Sequence, residues 1–138
     1  MVDPSFIHRW FNEVWNNKRE AAVDEMLAEN GIGHGLPGGD IIGPAAFKEY
    51  QRALVSAYPD LRVIVEQTVT QGDKIAGVCR VTGVHQAEGL GLSATNKPVE
   101  FTGLCLMLIK DGKIVEAWNE FNFMDMYQQL GVLTLNLQ

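Results

Sequence analysis

The chain has 138 residues, 46 % of them hydrophobic, which suits one domain able to bury a core of its own. Seventeen acidic residues against eleven basic ones give a net charge of −6, and no Lys/Arg cluster interrupts the excess. That balance argues against a phosphate-tracking, nucleic-acid-binding surface, and no apolar run approaches the ~20 residues that a bilayer crossing takes.

The opening segment MVDPSFIHRW lacks the charged-then-apolar pattern of a secretion signal, so a cytoplasmic protein is expected. Asp3-Pro4 reads as a helix start, and Ile7, Trp10, Phe11, Val14 and Trp15 recur on one helical face. A second helix is expected over about 19–29, with Val23, Met26 and Leu27 buried and Gly31 ending it. GIGHGLPGGD is too glycine-rich for a helix. Gly43-Pro44 opens a third, whose apolar side is Phe47, Tyr50, Leu54 and Ala57, and Pro59 stops it.

After Pro59 the pattern turns to β. LRVIVEQTVT, DKIAGVCRVTGVH, KPVEFTGLCLMLIK and GKIVEAWNEFNF are four runs rich in Val, Ile, Thr and Phe, and Gln71-Gly72-Asp73 and Asp111-Gly112 mark tight hairpins between them. An antiparallel sheet covered on one face by three preceding helices follows, which is the α+β class. Residues 86–97, QAEGLGLSATNK, form one long connection of the kind that often borders a site.

Alternation along the last strand puts Glu116, Trp118, Glu120 and Asn122 on one face and Val115, Ala117, Phe121 and Phe123 on the other. The mixed aromatic and polar face is read as the wall of a small-molecule cavity. The apolar set, with Cys105 and Met107 on the preceding strand, exceeds what one layer of helices can cover, so a homodimer is expected. Cys79 and Cys105 read as buried, reduced thiols in apolar strands.

The order of elements, carried by GPAAFKEYQRALVSAYPDLRV, GDKIAGVCRVTGVHQAEGLGLSATNKPVEFTG and DGKIVEAWNEFNFMDMYQQLG, resembles the SnoaL-like polyketide cyclases, also called ester cyclases. The likeness covers nearly the whole chain. It implies the cone-shaped, cystatin-like α+β barrel of the nuclear-transport-factor-two-like superfamily, a bent sheet around one deep pocket. It further implies a cofactor-free acid/base enzyme acting on a hydrophobic carbonyl compound. In those cyclases an aspartate on the last strand serves as general acid/base; here the matching position is Asn122, with Glu120 or Asp125 one shift away. A carboxamide holds a carbonyl or enolate oxygen but moves no proton.

His34 matches a histidine that enters the family's pocket, against the alternative of a loop histidine between glycines. Proton transfer is thus assigned to His34 or Glu120, for which a solvated charge near the sheet edge is the alternative, with Asn122 on the enolate and Trp118, Tyr50, Trp10 and Phe47 lining the substrate site. For Trp10, Trp15, Phe47 and Tyr50 ordinary core is the alternative. His85 is expected on a surface loop, His8 in solvent, and Asp125 as the cap of the last helix. Histidines 8, 34 and 85 lack ligand spacing, and GxSxG and GxxxxGK motifs are absent, so no metal, nucleophile or nucleotide cofactor is expected. A binder that kept the cone and lost the acid/base group stands beside the enzyme, as does an isomerase or hydrolase on the same scaffold.

Overall fold

The computed structural model describes residues 1–89 and 91–134; Leu90, within the long connection, lies outside the described residues. Helix α1 (Phe6–Trp10) widens into a π-helical turn (Phe11–Asn16), and α2 (Glu20–Met26) follows. Next come β1 (Leu27–His34), β2 (Ile41–Ile42), α3 (Gly43–Ala57), β3 (Arg62–Gln71), β4 (Lys74–Val84), β5 (Pro98–Lys110), β6 (Lys113–Phe121) and α4 (Phe123–Gln129). The six strands form one curved, unclosed sheet in the order β2-β1-β6-β5-β4-β3. The α+β class and the cone expected from the sequence are therefore present. No helix of the described residues is long and apolar enough to cross a membrane.

Two expectations change. The second helix stops at Met26, and Leu27, already extended at φ −108° and ψ 127°, begins β1 directly. Gly31 therefore sits inside a strand instead of ending a helix. A Cβ there would stand 2.7 Å from the Ile114 carbonyl oxygen, so glycine is required for β1 to lie against its neighbour. That neighbour is β6, and the two strands run parallel, so the sheet is mixed and not purely antiparallel. LAENGIGH carries only one β-branched residue, which hides this strand from a propensity reading.

Strands β4 and β5 alternate strictly, with Ile75, Cys79 and Val81 and then Phe101, Cys105 and Met107 turned to the core. Against this concave wall pack α1, the π-helical turn and α3. Trp10 and Trp15 meet Phe47 edge to face at 5.2 and 5.9 Å, and Tyr50 completes the cluster at 5.7 Å from Trp15. Each such pair adds about 0.5–1.5 kcal/mol beyond its buried area. Buried Gln51 of α3 donates to the Val14 carbonyl at 2.8 Å, which ties that helix to the π-helical turn.

Gly35 follows β1 at φ +78°, and a Cβ there would fall 1.9 Å from the Asn119 carbonyl oxygen of β6. Gly38, in the same loop at φ +92°, has nothing within 4 Å of its virtual Cβ. Both positions share the left-handed penalty of ~1–2 kcal/mol, whereas Gly35 alone adds a collision with backbone. Gly35→Ala is expected to destabilise the fold by at least ~2 kcal/mol more than Gly38→Ala, as read by denaturant titration.

Candidate functional site

A β-bulge decides what faces the cavity. Ile109 pairs with Ile114 and Leu108 with Glu116, so β6 has one extra residue, Val115, at this point. Ile114 points inward, and after the bulge so do Ala117, Asn119 and Phe121. The mixed face expected to line the cavity is accordingly the outer one: Trp118 is 39 % exposed, and Glu120 and Asn122 are exposed. Burying the carboxylates of Glu116 and Glu120 without partners would cost far more than burying one carboxamide, and the inverted parity avoids that cost.

The cavity lies between this wall and the helices. Trp10, Phe47 and Tyr50 are on its helical side and Asn119, Phe121 and Cys105 on its sheet side. Leu36, Tyr50, Phe121 and Phe123 are its half-buried members, whereas Tyr58 is only 1 % exposed. The cavity volume is ≈ 70 Å³, room for a few waters at the ~10–15 Å³ that each needs. Admitting a ring system therefore requires lining side chains to part. Phe121 suits that role, since its ring lies over Gly103 on β5, where a Cβ would meet it at 2.2 Å.

No carboxylate, imidazole or amine lines the cavity among the described residues. Its polar groups are neutral. Burial pushes the Tyr58 phenol up to about 12 and the Tyr50 phenol higher still, with Tyr127 adding to both, and the Cys105 thiol is raised mainly by burial. These groups donate hydrogen bonds at neutral pH and do not act as bases. Both cysteines are free and buried. Asn119 donates through Nδ2 to the His34 carbonyl oxygen at 3.0 Å, which orients its amide at the wall. Asn119 has the parity of Ala117 and Phe121, the face expected to be purely apolar, and was not among the expected site residues.

Four other side chains lie elsewhere than expected. Asn122 is the N-cap of α4, its Oδ1 accepting from the Asp125 amide at 3.0 Å, so Asp125 is the third residue of the helix and not its cap. His85 is fully buried. Its Nδ1 accepts from the Thr95 amide at 3.1 Å, which leaves Nε2 as the protonated nitrogen, 3.4 Å from the Gly89 carbonyl, so the ring organises the 86–97 connection. His34 points to the convex face, away from the cavity. Among the described residues no three His, Cys, Asp or Glu side chains gather as a metal-binding set.

A model of the SnoaL-like polyketide cyclases matches residues 6–130. The chain belongs to that family. Among solved structures it is similar to IdmH of Streptomyces antibioticus, a candidate polyketide cyclase, at 28 % identity over 95 % of this chain and all of that one, with a TM-score of 0.80. TsrD of Streptomyces laurentii superposes with a TM-score of 0.83 at 21 % identity, over 96 % of this chain and all of that one. A Catenulispora acidiphila protein with a ketosteroid isomerase-like fold, crystallised with trimethylamine, gives 0.78 at 14 % identity over 96 % of each chain. The last two likenesses concern the fold alone. No curated protein matches the chain.

In this SnoaL-like protein the convex face carries its own titrating group. His34 Nε2 lies 2.7 Å from Glu116 Oε2, its Nδ1 lies 3.0 Å from Asp40 Oδ1, and its ring tilts over Trp118 at 5.6 Å. Both nitrogens face carboxylates, so the doubly protonated ring is favoured. The hydrogen bond to Glu116, then that to Asp40, raises the His34 pKa, while partial burial opposes the rise. A raised folded-state pKa stabilises the fold fully below the unfolded value of ~6.5, and this contribution disappears as pH climbs through the folded value. Thermal unfolding between pH 6 and pH 9 should show wild type losing Tm with rising pH and His34→Gln following a flatter profile.

Proposed function

We propose that this SnoaL-like protein holds a neutral, hydrophobic, carbonyl-bearing ring system in its cone and steers a cofactor-free closure or isomerisation of it. The observation that carries this reading is the composition of the cavity wall: aromatic and aliphatic side chains interrupted by the neutral groups of Asn119, Tyr50 and Tyr58. Such a wall desolvates an apolar substrate and offers hydrogen bonds to its oxygens, but it has no cation for a carboxylate or phosphate.

Without an ionisable group of suitable pKa at the wall, the protein's contribution is geometric and electrostatic. Confinement holds a flexible poly-carbonyl chain near the conformation in which its ends react, and fixed donors stabilise the enolate oxygen that develops. The acidic proton of a 1,3-dicarbonyl can then leave to water without a protein base. The same absence favours a second reading, a binder that retains the cone and catalyses nothing.

An aromatic polyketide precursor ester separates the two. In the first reading wild type accelerates ring closure and Asn119→Ala lowers the rate by about 10- to 100-fold, the range of a lost oxyanion donor being ~10²–10³ when geometry is optimal. Asn122→Asp, which alters only a helix cap on the outside, leaves the rate unchanged. Binding of the ester with no closure above background in any variant would instead establish the second reading.

A homodimer through the convex face accompanies this proposal. The residues expected to meet the partner, among them Phe121, Phe123, Cys105 and Met107, face the cavity instead. A different set is exposed outside: Leu104 at 57 %, Val69 at 71 %, Ile64 at 49 % and Trp118. Trp118, Leu106, Ala76 and Val69 are cross-strand partners in one row, an apolar stripe across four strands. Sedimentation at micromolar concentration should give a dimer for wild type and a monomer for Leu104→Glu, whose new carboxylate would face Glu120 across the β5–β6 ladder.

A further inference from the structure

Among the described residues two buried side-chain polar atoms lack a hydrogen-bond partner, Gln51 Oε1 and the Tyr58 hydroxyl, and of these two residues Tyr58 lines the cavity. The Tyr58 hydroxyl is shut off from solvent and meets no hydrogen-bonding atom, although its residue lines the cavity. A hydroxyl buried in this way costs about 1–3 kcal/mol relative to one that is bonded. A phenylalanine would fill the same space without that cost. The hydroxyl is therefore stability forgone, and the cavity beside it is where a partner would come from.

The ring that carries it is held from several sides. Tyr58 ends α3, its amide bonded to the Leu54 carbonyl at 2.9 Å. Gly83 of β4 lies flat against it, and a Cβ there would stand 3.1 Å from Tyr58 Cδ1. The His85 ring packs on it at 5.4 Å, and His85 is itself fixed by Thr95 and Gly89. The hydroxyl cannot swing out to water. It is a donor set in place before any ligand arrives, which is what lowers the cost of reorganisation on binding. Its raised pKa keeps it protonated through the neutral range, so it donates.

We propose that Tyr58 is a polar anchor of the ligand site and donates a hydrogen bond from its hydroxyl to an uncharged ketone oxygen of a fused-ring ligand. This inference rests on the reading of the cone as a ligand site, and it adds polarity to it. The ligand's apolar body lies among Trp10, Phe47 and Phe101, and its other polar end is met by Asn119, all of which line the same cavity. A carboxylate in place of the ketone is rejected, because among the described residues no cation lines the cavity to offset its desolvation.

The test uses 1-tetralone and tetralin, which share a bicyclic skeleton and differ in the carbonyl group, titrated calorimetrically into the full-length protein and into Tyr58→Phe. Wild type should bind the ketone more tightly than the hydrocarbon. Tyr58→Phe should weaken the ketone by about 10-fold, one hydrogen bond's worth, and move tetralin by less than about twofold. Its Tm should equal or exceed that of wild type, since no bond within the protein is lost. A ketone affinity unchanged in Tyr58→Phe, with both probes bound, overturns the anchor and leaves the ligand site standing. A lowered Tm in the variant also overturns it, since the hydroxyl would then have a structural partner. Failure of wild type to bind either probe overturns the ligand site and the anchor with it.

Discussion

One extra residue in β6 governs the interior of this protein. Ile114 must point inward, because it packs beneath Leu27 where β1 and β6 meet, and it is 2 % exposed. A regular strand continuing from there would send Glu116, Trp118 and Glu120 to the same side. The bulge at Val115 absorbs a residue and reverses the sequence of faces, so that Ala117, Asn119 and Phe121 enter the cavity. Two carboxylates are thereby kept on the outer face, and among the described residues the wall that results is neutral.

That neutrality links packing to chemistry. An ionised base inside an apolar cone would be desolvated and strongly shifted, and it would need a charged partner for which the aromatic cluster leaves little room. The cone carries phenols and a carboxamide instead, groups that keep their protonation state on burial. The titrating histidine meanwhile sits on the outer face between two carboxylates, where charge is tolerated. The structure thus separates two kinds of polar group by the two sides of a single sheet: fixed donors on the concave side, variable charge on the convex side.

The parts legible in the sequence were those written in periodicity. The apolar face of α1, the Gly43-Pro44 start of α3 and the hairpins at Gly72 and Gly112 all lie where hydrophobic spacing and turn chemistry put them, and β3 to β6 agree within about a residue or two. Alternation along β6 was legible too, but not which of its two sides faces inward. That depends on a bulge for which IVEAW carries no local sign. Asn119 is masked by the richer polar set beside it, and Tyr58 reads as the last residue of a helix before Pro59. His85 looks like the start of a polar loop, yet its burial depends on Tyr58, Thr95 and Gly89 coming together, contacts that no local window contains.

The parallel pairing of β1 with β6 also orders assembly in time. These strands lie near opposite ends of the chain, and the Asn119–His34 bond spans 85 residues, so the loop they close is among the most entropically costly in the fold. The hairpins of β3, β4 and β5 are local and can form as soon as they are synthesised, whereas the cone acquires its last wall only when β6 arrives. Until then the aromatic faces of α1 and α3 cover an incomplete sheet, and the nascent chain shows apolar surface to its surroundings. A molecule that filled the cone early would act as a template for closure, making ligand and last strand partners in one folding step.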